Sequence, residues 1–146
     1  MKVDVLQNTG LAAGNAELAK VPALHGTVNP CGEACGVMFQ ADGEETLYLA
    51  GDTIWYDGVK KNLADFQPGV VLLNACAAET VENGRLIMND EDVAWVAKAA
   101  PYAKLIISHM DNVAHATITR HSMRGLLARL GINDYFMPED GETIVL

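Results

Sequence analysis

The sequence predicts a single α/β domain over residues 1–146, on three observations. Short apolar runs rich in branched residues alternate with stretches of helical spacing. The longest apolar runs, Gly69 to Leu73 and Leu105 to Ile107, have the length of buried strands, well short of the roughly 20 residues a membrane span needs. Strands hand over to helices through loops, the pattern of an α/β chain. Half the residues are hydrophobic and a fifth are charged, the balance of a globular protein.

Ala19 to Leu24 reads as extended, with Pro22 marking an edge or a strand end. His25 to Glu33 contains Gly26, Asn29, Pro30 and Gly32 and reads as loop. Cys35 to Gln40 and Thr46 to Ala50 are strands joined through Asp42-Gly43, the step that supplies positive φ to a hairpin. Val59, Leu63 and Phe66 share one face of a predicted helix, which Pro68-Gly69 ends. Val70 to Asn74 is a buried strand. Asn89 or Asp90 caps a helix running to Ala100, with Val93, Val96, Ala97 and Ala100 as its buried stripe. Its acidic first turn suits the positive end of the helix dipole. Lys104 to Ser108 is the next strand. Thr117 or Thr119 caps a last helix, whose apolar face is Met123, Leu126, Leu127 and Leu130 and whose stop is Gly131. Tyr135 to Met137 and Thr143 to Leu146 are expected as short strands.

The net charge of −9 argues against a nucleic-acid partner, since the ten basic residues form no patch and only Lys60-Lys61 are adjacent. Met1 to Asn8 breaks its apolar run with Asp4 and Gln7, unlike a secretory signal. Three cysteines cannot all pair within one chain, which points to reduced thiols and a cytoplasmic location. Cys31 and Cys35 have no second pair with which to build a zinc knuckle. Cys35 and Cys76 are read as structural, and Cys31, beside Pro30, as an exposed thiol.

Three metal-binding side chains sit where a predicted strand gives way to loop: His25, Asp52 and His109. Strand ends fix a side chain while leaving it open to a cleft. Two imidazoles and a carboxylate suit Zn²⁺, and also Mn²⁺ or Fe²⁺. On spacing alone the alternative stands beside this: a hydrogen-bonded structural histidine, and an Asp serving as turn former or cap in Gly51-Asp52-Thr53. Asn74 ends a strand on the same edge and can orient a ligand or His109. His115 can contact a substrate or pin its loop. His121 reads as solvated, Asp90 and Asp92 as helix-start acids, and Trp55 and Tyr56 as core aromatics or cleft walls.

The string Thr46-Leu47-Tyr48-Leu49-Ala50-Gly51-Asp52-Thr53 resembles the Asp-bearing motif of the metallo-β-lactamase superfamily. Pro22-Ala23-Leu24-His25-Gly26 resembles its third metal motif, and Ile106-Ile107-Ser108-His109-Met110 its last histidine motif. Gly36-Val37-Met38-Phe39, His115-Ala116-Thr117 and Pro138-Glu139-Asp140-Gly141-Glu142 resemble the branch of ascorbate-6-phosphate lactonase. The resemblance implies the C-terminal half of an αββα sandwich, a mixed sheet with helices on one face. It implies a metal-dependent hydrolase of a small-molecule phosphoester, lactone or amide, with zinc or manganese held by His25, Asp52 and His109. His115 and Asn74 are the implied auxiliary site residues.

The family's earlier His-x-His-x-Asp-His string does not occur in these residues, where no two of the four histidines are two apart. Two or three ligands hold a divalent ion weakly. The expectation is therefore an incomplete site or, alternatively, an inert half-domain that assembles. Half a sandwich exposes the face that meets its twin. Leaving a few hundred Å² of apolar surface wet forfeits on the order of 5–10 kcal/mol at roughly 25 cal/mol per Å². The expected remedy is a homodimer, sheet on sheet, or a complementary half-domain.

Overall fold

The computed structural model describes residues 11–13, 15–26 and 33–146. Four strands run antiparallel: β1 (Leu11–Ala13), β2 (Ala16–Pro22), β3 (Cys35–Ala41) and β4 (Leu47–Leu49). The Asp42-Gly43 turn joins β3 to β4, and Gly43 has φ 80° as a hairpin demands. Helix α1 (Asp57–Phe66) then crosses to β5 (Val70–Asn74), parallel to β4. A small hairpin, β6 (Glu79–Thr80) and β7 (Gly84–Arg85), precedes α2 (Asp90–Ala99), β8 (Lys104–Ser108) and α3 (Arg120–Arg129). The main sheet has six strands in the order β1-β2-β3-β4-β5-β8, and β8 is parallel to β5. It is a mixed sheet, as the resemblance implies.

Side-chain alternation divides the sheet into two faces. The row Ala19, Met38, Tyr48, Val71, Leu105 passes from β2 to β8 through paired positions. These residues pack with Val59 and Leu63 of α1, Val93 and Val96 of α2, and Met123 and Leu127 of α3 in one core. The alternate row Val37, Leu49, Leu72 and its neighbours Leu18, Phe39 and Leu47 lie on the other face. They are half-buried and stand outside that core. The helices therefore cover one face, and an apolar face is left on the other.

The ends of the helices follow from local chemistry. Asn89 caps α2, its side chain accepting the Asp92 N–H, and Thr119 forms a capping box with Ser122 at α3. Gln67, rather than a glycine, takes the left-handed position after α1, with φ 45°. Gly131, at φ 76°, ends α3 as predicted. Leu130 is the exception to the expected apolar face and stays 43% exposed. The two expected C-terminal strands do not form. Phe136 makes a single parallel bridge to Ile106, and Thr143 to Leu146 has no ladder partner among the described residues. The strands β1, β6 and β7 were not predicted. They are too short to carry a period-2 signal.

Because β2 and β4 point the same way as β5 and β8, four strand ends reach one edge of the sheet. His25, Asp52, Asn74 and His109 lie at or just beyond those ends. Gly51 makes the turn from β4 into Asp52 possible. It has φ 69°, and an added Cβ would stand 2.9 Å from the Cys35 carbonyl oxygen. Gly51→Ala is expected to cost about 2–4 kcal/mol, from the left-handed backbone and the clash together. A urea midpoint unchanged from the parent would contradict this. No helix among the described residues is long and apolar enough to cross a membrane.

Candidate metal centre

His25 follows β2 in a tight three-residue turn, with the Gly26 N–H donating to the Leu24 carbonyl at 3.1 Å. The neighbouring Leu24 is clasped to the Asp52 loop. Its N–H donates to Thr53 Oγ1 at 2.9 Å, and its carbonyl accepts the Ile54 N–H at 2.9 Å. Thr53 is fully buried and donates its hydroxyl proton to the Ile54 carbonyl. The two Leu24 bonds join the residue before His25 to residues after Asp52, so the two side chains are brought together. His25 Nε2 lies 3.9 Å from Asp52 Oδ2. The other carboxylate oxygen accepts Asn74 Nδ2 at 2.8 Å. Asn74 thus steers Asp52 and not His109.

Two further elements hold the Asp52 loop. Trp55 N–H donates to Asp92 Oδ2 at 3.2 Å, and Asp92 pairs with Arg85. Arg85 also donates to the Ile87 carbonyl at 2.9 Å. Asp92, expected as a helix-start acid, is buried and also braces this loop. Asn62 bonds both the Tyr48 hydroxyl (3.1 Å) and the Pro22 carbonyl (3.2 Å), tying α1 to the end of β2. Burial pushes the Tyr48 phenol up to about 12, and the Asn62 bond only partly offsets this. Trp55 and Tyr56 pack against the core from the side, the blander of the two fates open to them. Cys35 and Cys76 are free thiols, and burial raises Cys76 above its ordinary value. Cys31 lies outside the described residues.

His109 follows Ser108, whose strand position pairs with Asn74. It is exposed, with φ 60°. Among the described residues no three His, Cys, Asp or Glu side chains form a group able to hold one ion. His25 and Asp52 are brought together, while His109 ends β8 two strands further along the same rim of the sheet. Strand order explains the gap: β5 separates β4 from β8, and two strand spacings amount to about 10 Å. His115 is exposed in the loop beyond, and its carbonyl accepts the Glu79 N–H at 3.1 Å. His121 is exposed in the first turn of α3.

The His25 and Asp52 pair has the chemistry and nearly the spacing of ligands to one ion. Two donors at 2.0–2.1 Å from a tetrahedral zinc stand roughly 3.3 Å apart. The pair is short of a full ligand set, and it fits a divalent ion as part of one.

No family model matches the sequence. The chain is 36% identical over 146 residues to UPF0173 protein YddR of Bacillus subtilis (strain 168), covering 97% of this chain and 57% of YddR. Its fold matches the isothiocyanate hydrolase from Delia radicum gut bacteria with a TM-score of 0.89 at 32% identity, covering 97% of this chain and 59% of that one. It matches a possible metal-dependent hydrolase from Veillonella parvula DSM 2008 at 0.87 and 36%, covering 94% and 56%. A likeness of fold alone extends to the metallo-β-lactamase fold protein YhfI of Bacillus subtilis, at 0.67 and 16%, covering 94% and 53%.

The chain has a metallo-β-lactamase fold, shared with YhfI. It is a relative of the UPF0173 protein YddR and spans 57% of that protein's length.

Proposed function

We propose that this chain is one portion of a metal-dependent hydrolase, contributing His25, Asp52 and His109 to its metal centre. The observation that carries the reading is the 3.9 Å approach of His25 Nε2 to Asp52 Oδ2 at a sheet edge. Similarity to two proteins described as hydrolases supports it. In this reading His25 and His109 would each help hold a metal ion, and Asp52 would be shared between them. That arrangement accommodates the strand that separates them. Zinc or manganese there supplies water activation at neutral pH and polarises the reacting oxygen of a carbonyl or phosphoryl group. Asn74 fixes one Asp52 oxygen and leaves the other for the ion. His115, exposed beyond His109, is the group placed to meet a substrate or leaving group.

The remaining ligands come from outside these residues. The relatives' additional length and the apolar face of the sheet support a complementary segment that packs on that face. A small-molecule phosphoester, lactone or amide remains the substrate class, and the likeness to an isothiocyanate hydrolase adds an electrophilic carbon of that kind. The chain is to be purified alone and together with the part of YddR that it does not match. Both are then assayed with zinc and with manganese on one substrate of each class. Hydrolysis is expected from the assembly and not from the chain alone. If an assembly verified by light scattering hydrolyses none of them, the second reading gains. That second reading is an inert assembly module, and the apolar sheet face outside the helix-covered core favours it. A homodimer mass for the isolated chain would show that a second copy covers the face instead.

A further inference from the structure

His109 and Asp111 both have left-handed backbones, with φ 60° and 62°. Asp111 is the centre of a tight turn in which the Asn112 N–H donates to the Met110 carbonyl at 2.7 Å. At positive φ such a turn is the rare, strained form. Neither residue is a glycine, so other contacts must hold the loop in this shape.

Arg120 supplies them. It is 7% exposed, in a chain of net charge −9. Its backbone N–H donates to Asp111 Oδ1 at 2.9 Å, and its Nη1 to Asp111 Oδ2 at 2.6 Å. On the far side, Nε donates to the Pro138 carbonyl at 2.9 Å and Nη2 to Asp140 Oδ1 at 2.5 Å. Asp140 Oδ2 accepts Asn112 Nδ2 at 2.6 Å, which closes a ring back onto the loop. A planar guanidinium serves these separate acceptors at fixed angles, which an ammonium does not.

We infer that Arg120 is a positioning residue for His109. Acting through Asp111 and Asp140, it locks the strained turn that turns the imidazole off the pleat of β8. Its consequence for metal binding rests on the reading of His109 as a ligand. The Arg120 ring is not itself part of the donor set. It fixes the backbone from which one donor projects.

The test uses the metal-free chain first. The imidazole resonances of His109 are expected to shift in Arg120→Lys, while those of His25, on a distant strand, stay in place. Zinc titrations of the parent, Arg120→Lys, His109→Ala and the double variant follow. Arg120→Lys is expected to weaken zinc binding about tenfold, as loss of a ligand-orienting contact does, and to add nothing once His109 is gone. If His109→Ala leaves zinc affinity unchanged, the ligand reading fails and the imidazole shift alone judges the positioning role. Unmoved His109 resonances in a folded Arg120→Lys chain would overturn the inference, as would an equal zinc loss with and without His109. If Arg120→Lys does not fold, Asp140→Asn removes one arm of the ring at an exposed side chain and is read in the same way.

Discussion

Replacing Asp52 with alanine is expected to abolish metal-dependent hydrolysis by the assembled protein while leaving this chain folded. The carboxylate lies 3.9 Å from His25 Nε2 and accepts a hydrogen bond from Asn74. If it joins two ions, its loss removes several kcal/mol of charge stabilisation, and each ~1.4 kcal/mol is tenfold in rate. A fall in turnover of about 10³-fold or more follows, with a matching loss of bound metal. Stability should barely move, because the Asp52 side chain is 41% exposed and caps no helix. Asn74→Ala should cost only about 10- to 100-fold, since it orients a ligand without being one. The checks are turnover, metal content by mass spectrometry, and a melting curve. An Asp52→Ala assembly that keeps its metal and its rate would refute the assignment.

Leu49→Asp is the second large effect. Leu49 pairs with Val37 on β3 and with Leu72 on β5, on the face no helix covers. A carboxylate there meets water in the isolated chain, and apolar side chains once a second sheet is laid over it. Burying an unpaired charge costs about 3–5 kcal/mol, or roughly 10²- to 10³-fold or more in association. The isolated chain should remain folded, and its association should be lost by light scattering. Met38→Asp is the control, because Met38 is fully buried beneath the helices. That variant should unfold the chain itself. Should Leu49→Asp unfold the chain as Met38→Asp does, the face would not be an open one.

Much of the architecture was legible in the residues. Val70–Asn74 and Lys104–Ser108 form strands where branched apolar runs predict them, and Asn89 and Thr119 cap helices as their side chains suggest. These are local signals. The placement of His25, Asp52, Asn74 and His109 at strand ends was equally visible, because a polar residue after an apolar run needs no knowledge of the partner strand. What the sequence concealed depends on long-range pairing. Thr53 carries no local signal, because Leu24, which donates to it, lies 29 positions away. Asp92 reads only as a helix-start acid until the unpredicted β6–β7 hairpin brings Arg85 against it. Arg120 carries no periodic or motif signal, since its partners lie on a turn nine residues before it and a loop 18 to 20 residues after. The separation of His109 from Asp52 along the sheet edge was hidden for a related reason. Both end strands on one edge, but the order β4-β5-β8 inserts a strand between them.

The most direct measurement is a zinc-edge anomalous difference map from crystals of the chain grown with zinc. A peak within bonding distance of His25 Nε2 and Asp52 Oδ2 is the expected result. Zinc seated elsewhere, for instance at exposed His115 or His121, with that pair left bare, would contradict it.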